Sequence, residues 1–241
     1  MSVQLQGREL TEGFQPSLHY GFRSYPLGTS LDLRLAQAWR IWGRPEQGPW
    51  YGFFRPSAEG STALSYNALS AQLEFFPVSF LGLRSGIQSA DNRRDYTAYD
   101  CETHRCRGRL YRNFVELEMA VGYRQFFALT QLRQESLKAP AESTKRFVDP
   151  ALSLSIDPTG EEVFRSTLIL GMNWSPSFRI MLLDRRAHIV GKTDSYSKTQ
   201  MALISTQRGP WTLSSGLGAF WGELNPKNLS FIFGANYYFQ N

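Results

Sequence analysis

The fold is decided by the stretch Trp211-Thr-Leu-Ser-Ser-Gly-Leu-Gly-Ala-Phe-Trp221, near the end of the chain. Apolar or aromatic side chains occupy every odd position of this stretch except Ser215, and small or polar residues stand at most positions between them. After the polar connection Glu223-Leu-Asn-Pro-Lys-Asn228, the alternation resumes from Leu229 to Phe239. A period of two over two long segments predicts a pair of β-strands, each with one apolar face.

The same alternation recurs through most of the preceding chain and predicts about twelve strands in all. We place the earlier strands within residues 18–22, 31–41, 50–55, 62–75, 81–88, 109–123, 126–135, 164–174, 178–189 and 198–207. Residues 136–161 contain three prolines and are interpreted as a long loop, despite the short alternating piece Leu152-Ser-Leu-Ser-Ile156. Residues 1–15 show no sustained period and are predicted to be a tail or a plug.

The lengths of the connections support a single sheet that runs up and down. Short turns are predicted near residues 45, 77, 124, 175 and 208, and counting strands back from the C-terminus places them at one end. The long polar connections near residues 90, 136 and 190 then fall together at the other end. Short turns at one end and long loops at the other are typical of barrels that cross an outer membrane.

These features resemble the Gram-negative outer-membrane β-barrel superfamily over residues 16–241. The resemblance implies an all-β fold: a transmembrane antiparallel up-and-down β-barrel of about 12 strands, with short periplasmic turns and long extracellular loops. Residues 1–15 would then be an N-terminal tail or a plug in the lumen. The match is one of architecture, without the motif of a specific family. The chain also ends in Tyr237-Tyr-Phe-Gln-Asn241 and not on the terminal aromatic residue typical of such proteins.

Composition excludes several other classes of protein. No run approaches the roughly 18 apolar residues that a membrane-spanning helix needs. The isoelectric point near 9.3 is typical of nucleic-acid-binding proteins. The arginines are spread singly along the predicted strands, however, so no nucleic-acid partner is expected. A soluble β-sandwich or barrel is the main competitor. Against it, many aromatic residues lie at strand ends, where they would form interfacial belts, among them Trp39, Tyr123, Trp174, Trp211 and Phe239.

Localisation and partners follow from the membrane interpretation. The start of the chain lacks a charged segment followed by an apolar one, so we expect a mature exported chain behind an added Met1. The expected location is the outer membrane, with the lipid bilayer and lipopolysaccharide as partners and small solutes as cargo. Cys101 and Cys106 could pair in an oxidising compartment or join His104 in an incomplete metal site. We favour the disulfide, and no metal or other cofactor is expected.

The polar faces of the strands predict the lining of the lumen. We expect it to collect Arg34, Arg40, Arg84, Arg112, Glu116, Glu118, Arg133, Arg165, Asp184 and Arg186. For residues 178–189 this prediction places Ala187 and Ile189 outward, because the opposite facing would expose Asp184, Arg186 and His188 to lipid. The arginine excess favours a narrow, porin-like channel for small solutes, with a preference for anions. A closed, salt-bridged lumen that leaves a structural or surface-interaction role is the alternative.

A lipid hydrolase of the outer membrane is a second alternative, and it would need a serine paired with a histidine. Ser85, Ser205 and Ser215 are predicted to face outward. His19 and His188 are predicted to face inward, and His104 lies in the loop that holds the cysteines. The pattern therefore names no catalytic residue.

Overall fold

Two sets of strands build the molecule. The computed structural model describes residues 12–25, 27–44, 46, 48–63, 66–95, 99–139 and 145–239; within them twelve long strands form a closed antiparallel barrel, and two short strands pair separately. The strands are β1 (Gly13–Ser24), β2 (Leu27–Trp42), β3 (Gly52–Thr62), β4 (Tyr66–Val78), β5 (Leu81–Asn92), β6 (Gly108–Tyr123), β7 (Phe126–Lys138), β8 (Phe147–Asp149), β9 (Leu154–Ile156), β10 (Glu161–Ser175), β11 (Phe178–Ile189), β12 (Tyr196–Arg208), β13 (Trp211–Gly222) and β14 (Asn225–Tyr238). No helix in the described ranges has the length and hydropathy to cross a bilayer.

Sequential strands pair around the whole barrel, and the first strand pairs with the last. Leu18 of β1 lies opposite Tyr237 of β14, which closes the sheet and leaves it without an edge. Only between β7 and β10 does the sequence leave the wall, because β8 and β9 form their own sheet there. The predicted all-β, up-and-down barrel of about twelve strands is confirmed. The wall begins at Gly13, a few residues before the predicted boundary at residue 16, and residues 1–11 lie outside the described part.

The alternation along each strand separates an apolar outer face from a mixed inner face. In the hairpin of β13 and β14, Leu217 and Leu229 are 59% and 75% exposed on the outside, whereas Ser230 is fully buried on the inside. Trp211 and Tyr237 pack on the same outer face with ring centroids 4.8 Å apart. The facing predicted from period two is therefore correct for these two strands.

The barrel has a turn end and a loop end. Residues 79–80, 124–125, 176–177 and 209–210 make two-residue turns at the turn end, where the longer connection 43–51 also lies. Gly209 has a φ of 55°, as a two-residue hairpin turn with glycine at its first position requires. The connections 93–107, 139–160 and 190–195 lie at the loop end. The predicted turns and the three predicted long connections lie at opposite ends as expected, but the loop end also has connections of only two or three residues between β1 and β2, β3 and β4, and β13 and β14.

Residues 145–160 contain a β-hairpin where the sequence interpretation had only a loop, which corrects that interpretation. β8 and β9 pair with Phe147 opposite Ile156, so the alternating piece at 152–156 is part of a short hairpin. This hairpin is packed against the inner face of the barrel at the loop end, where Phe147, Leu154 and Ile156 contact Val163 of β10. The prediction of a long loop was wrong for this hairpin and for both ends of the segment, because β7 extends to Lys138 and β10 begins at Glu161.

The facing of β11 is the reverse of the predicted one. Ala187 and Ile189 are buried inside, in the same apolar cluster as Phe147, and Leu182 is 59% exposed on the outside. Asp184 and Arg186 therefore lie on the outer face. The physical reason is the hairpin of β8 and β9, which supplies an apolar surface inside the barrel, so the inward face of β11 is apolar there. The prediction had instead kept Asp184, Arg186 and His188 away from lipid, and it did not foresee an apolar surface inside the barrel.

Candidate functional site

A row of alternating charges crosses the inner face of half the barrel. The observed register places directly opposite one another, on β3, β4, β5, β6, β7 and β10 in turn, Arg55, Glu74, Arg84, Glu116, Arg133 and Arg165. Opposite charges on facing positions of neighbouring strands attract, so the row stabilises the strand order. We call this surface, together with the charges that contact it, the charged wall.

Glu74 on β4 anchors one end of the charged wall. Its carboxylate accepts a hydrogen bond of 2.7 Å from Nε of Arg55 and forms a second ion pair with Arg34 of β2. Nε of Arg84 lies 3.8 Å from the same carboxylate. Glu74 is 1% exposed. A carboxylate this deeply buried is stable only when cations compensate for its lost hydration, and here three arginines do so.

Arg84 links this end to the centre of the wall. Its guanidinium lies 3.0 Å from Glu116 and 2.8 Å from Glu118, both on β6. Glu118 also accepts a hydrogen bond of 2.7 Å from Nε2 of Gln131. Glu116 reaches Nη1 of Arg133 at 3.5 Å. Glu116 thus lies between two arginines, and Glu118 lies between Arg84 and Gln131, as expected for structural ion pairs of the barrel interior.

Glu135 on β7 holds the other end of the charged wall. It is fully buried, and its carboxylate lies 2.8 Å from Arg133, 3.1 Å from Arg112 and 3.3 Å from Arg165. Neither carboxylate oxygen has an aligned hydrogen bond among the described residues, so the contacts act through charge. Arg133 and Arg165 are neighbours of like sign in the row, and Glu135 compensates for their repulsion.

Two arginines on the inner face of β11 stand apart from the ion pairs of the charged wall. Arg179 and Arg185 of β11 point into the lumen, and neither forms an ion pair with another described residue. Arg185 is exposed to the lumen, and the charges that act on it include Arg165 and Arg23 as well as Glu116 and Glu135. Among the described residues, the lumen therefore carries two arginines that are not held in ion pairs.

The wall opposite is lined by small side chains. β12, β13 and β14 lie six positions around the barrel from β4, β5 and β6. Their inward residues include Thr212, Ser214, Gly216, Gly218 and Gly234, which we call the small-residue wall. At Gly218 a Cβ atom would overlap the backbone carbonyl oxygen of Gln200, so the close approach of the two strands requires glycine.

The loop end of the lumen is covered by two packed loop segments, residues 99–107 and 145–160, which we call the cap. An ion pair of 2.6 Å between Arg112 and Asp149 joins the cap to the charged wall. Beneath it, Phe147, Leu154 and Ile156 are fully buried against the inner face of the barrel. The cap therefore combines an apolar core with a buried ion pair.

The two segments of the cap hold each other. The amide of Arg105 donates to the carbonyl of Arg146 at 2.8 Å, and the amide of Val148 donates to the carbonyl of Arg105 at 2.9 Å. A hydrogen bond of 2.6 Å joins the hydroxyls of Tyr99 and Ser153. Leu224, in the turn between β13 and β14, packs against Tyr99 and Val148. The cap thus reaches from the charged wall across the mouth to the far side.

Cys101 and Cys106 form a disulfide within the cap, as predicted. Between them, the hydroxyl of Thr103 donates to the carboxylate of Asp100 at 2.7 Å, and the backbone amides of Glu102 and Thr103 also donate to it. These bonds hold the pKa of Asp100 below its usual range. Because the sulfur atoms are bonded to each other, they are not available to the predicted alternative of a metal site with His104.

Most of the predicted lumen residues come together in the charged wall: Arg34, Arg84, Arg112, Glu116, Glu118, Arg133 and Arg165. Arg40 is also on the inner face but lies at the turn end, 2.9 Å from Glu12 and away from the wall. Asp184 and Arg186 lie on the outside, contrary to the prediction. Sequence reasoning missed Arg55, because the facing of residues 50–55 could not be assigned, and Asp149, because it belongs to β8 in a segment that was predicted to be a loop.

The residues of the hydrolase alternative are not brought together. Ser205 is buried on the inner face and His188 lies on the outer face, the reverse of both predictions. Nδ1 of His19 lies 2.7 Å from Oδ1 of Asn236, and Nδ1 of His104 lies 2.9 Å from the hydroxyl of Thr103. In the described ranges, no hydrogen bond joins a histidine to Ser85, Ser205 or Ser215.

Comparison with known proteins identifies the fold. No protein-family model and no curated protein sequence matches the chain. Among solved structures, it is similar to an outer membrane channel from Pseudomonas putida F1, with a TM-score of 0.59 and 9% identity over 99% of this chain and 100% of that one. It is also similar to the NanC porin, with a TM-score of 0.52 and 11% identity over 92% and 98%. A KdgM porin in complex with disordered oligogalacturonate gives 0.50 and 11% over 94% and 99%. The chain therefore has the architecture of outer-membrane channel barrels.

Proposed function

We propose that the protein is an outer-membrane channel for small solutes, with a preference for anions. The observation that carries this proposal is the positive charge of Arg179 and Arg185, which face the lumen and form no ion pair with another described residue; Arg185 lies on the strand next to Arg165 of the charged wall. Rings and rows of cationic side chains favour anions in pores. In this arrangement the charged wall keeps its own carboxylates paired, and the free arginines attract the solute.

The apolar outer face supports placement in a membrane, with the loop end toward the cell exterior. Exposed leucines cover the outer wall from β2 to β14, among them Leu33, Leu73, Leu117, Leu170 and Leu217. An outward apolar band with aromatic residues at its edges is what a barrel in lipid requires. Export through the inner membrane is part of this proposal.

The cap favours a second candidate, a barrel whose lumen is closed and whose loops act at the surface. A fully buried apolar cluster at the mouth, reinforced by the pair of Arg112 and Asp149, opposes the passage of water and ions. A channel function then requires solute to pass beside the cap or the cap to move. The two candidates differ in whether the folded protein conducts.

Conductance across planar bilayers tests the proposal directly. We expect the purified protein to conduct and to pass chloride in preference to potassium in a salt gradient. The Arg185→Gln variant should lower that preference, because it removes a lumen-facing cation that forms no ion pair with a described carboxylate. Arg208→Gln is the matched control, since Arg208 is also a strand arginine but lies on the outer face at the turn end.

The cap supplies the second part of the test. Asp149→Asn removes the charge that joins the cap to Arg112, and we expect it to raise the open probability of single channels. If the wild-type protein and the Asp149→Asn variant are both folded and neither conducts, the channel proposal is rejected and the closed barrel is supported. Equal selectivity of wild type and Arg185→Gln would reject the anion preference alone.

A further inference from the structure

The outward face of β11 and β12 carries a cluster of charges in a wall that is otherwise apolar. Asp184, Arg186 and Lys198 lie on this face because their neighbours Ala187 and Ile189 are buried inside and the register pairs Arg186 with Lys198. Trp221 of β13 lies opposite Lys198 on the same face. Charged side chains toward lipid destabilise a barrel unless they meet a polar partner, so the cluster calls for an explanation.

The cluster has a defined internal arrangement. Nε of Arg186 donates to Asp184 at 2.8 Å, and Nε2 of Gln200 donates to the same carboxylate at 2.6 Å. Nζ of Lys198 lies 4.0 Å from Asp184 and 5.1 Å from the centre of the Trp221 ring. Nζ of Lys227 lies 5.4 Å from the centre of the same ring. Two cations thus contact Asp184 and a third lies at the neighbouring indole, which leaves an excess of positive charge.

The position of the cluster along the strands places it at the level of lipid head groups. A barrel strand tilted by about 40° rises roughly 2.5 Å along the barrel axis per residue. Counted from the turn end, Arg186 lies about 22 Å and Lys198 about 28 Å along the axis, and the apolar band of such barrels is about 25 Å tall. Toward the turn end from the cluster the outer face is apolar, with Leu170, Leu182 and Leu217 exposed.

We propose that Arg186, Lys198 and Lys227 bind the phosphate group of an anionic lipid in the leaflet at the loop end. The guanidinium of Arg186 and the two ammonium groups supply charge-assisted hydrogen bonds to phosphate oxygens, and Asp184 and Gln200 hold Arg186 in place. The indole of Trp221 lies at the interface beside them, and the leucines toward the turn end contact the acyl chains.

A second copy of the chain fits this surface less well than a lipid does. In a twofold-symmetric dimer the same surface of each subunit meets its counterpart, so the excess cations of one subunit would lie against those of the other. Like charges brought together in this way repel. A phosphate on a lipid matches both the charge of the cluster and the apolar surface next to it. The site does not depend on whether the lumen conducts.

Native mass spectrometry of the full chain in a nonionic detergent tests the site. The probe is diphosphoryl lipid A, and dephosphorylated lipid A with the same acyl chains is the comparison. We expect the wild type to bind the phosphorylated probe more tightly. The double variant Arg186→Gln/Lys198→Gln should bind it about twenty-five-fold more weakly, since each basic residue near an anionic lipid contributes roughly a fivefold factor.

The controls separate a site from a general attraction. Arg208 is an outward arginine of β12, the strand of Lys198, but it lies at the turn end. The Arg208→Gln variant should therefore bind the probe as the wild type does. Lys227→Gln alone should weaken binding about fivefold. Heat-dependent migration on gels shows that each variant is folded. Equal binding of the two lipid probes, or equal binding of the phosphorylated probe by the wild type and the double variant, would overturn the proposal, as would a dimer that excludes lipid.

Discussion

The charged wall and the small-residue wall lie on opposite sides of one barrel and are held by different interactions. In the charged wall each side chain depends on its partners, and Glu135, like Glu74, contacts three arginines. In the small-residue wall the strands approach so closely that Gly218 has no room for a side chain. The first wall is therefore sensitive to loss of charge, and the second is sensitive to added volume. Substitutions that remove charge therefore test the charged wall, and substitutions that add volume test the small-residue wall.

The largest effect is expected at Glu135. Glu135→Gln keeps the shape of the side chain but leaves Arg112, Arg133 and Arg165 without their shared anion. Breaking a buried ion pair by removing one partner costs roughly 3–5 kcal/mol. The free energy of unfolding, measured by urea titration in lipid vesicles, should fall by an amount of this order.

Glu162→Gln is the matched control, because Glu162 is an exposed glutamate on the outer face of β10 whose contact in the described structure is a long hydrogen bond of 3.5 Å from Gln134. It should leave the free energy of unfolding almost unchanged. If the two variants are equally stable, the buried network of the charged wall does not hold the barrel as described.

The small-residue wall should respond to a single added methyl group. At Gly218 the Cβ atom of alanine would overlap the Gln200 carbonyl oxygen, which is backbone and cannot turn away. Forcing extra volume into a packed position costs roughly 1–3 kcal/mol. Gly218→Ala should lower the urea midpoint accordingly.

Gly60→Ala is the control for this change in a strand of the same barrel. The nearest atom to the added Cβ there would be Cδ2 of Leu69 at 3.6 Å, an ordinary contact. Alanine also favours a strand more than glycine does, so this variant should be neutral or more stable. A loss at Gly60 as large as that at Gly218 would mean that close approach is not the cause.

The sequence predicted the barrel because its main signal is local. Period two, turn residues and loop lengths are read along the chain, and they placed the two faces of β13 and β14 correctly. The inward charges such as Arg84 and Glu116 followed from the same alternation. Which charges pair could not be predicted, because the pairs depend on the register between strands, and register is set by contacts far apart in sequence.

The facing of β11 shows where local reasoning stops. Its two faces are similar in composition, so the choice depended on what each face would meet. The apolar partner of Ala187 and Ile189 is the hairpin of β8 and β9, and nothing in the spacing of residues 136–161 indicates that this segment packs inside the barrel. For the same reason the sequence did not predict a role for Asp149, because that role depends on its contact with Arg112.

The smallest effect is expected at Ser214 in the small-residue wall. Its hydroxyl donates to the carbonyl of Gly234 at 3.4 Å, which is long for such a bond, so Ser214→Ala should cost less than about 0.5 kcal/mol. Gln131→Met removes one hydrogen bond from the charged wall, where the 2.7 Å contact is to an anion, and should cost more. Urea titrations of both variants compare the same chemical loss on the two walls. If Ser214→Ala costs as much as Gln131→Met, the polar groups of the small-residue wall are structural as well, and the two walls differ less than their charges indicate.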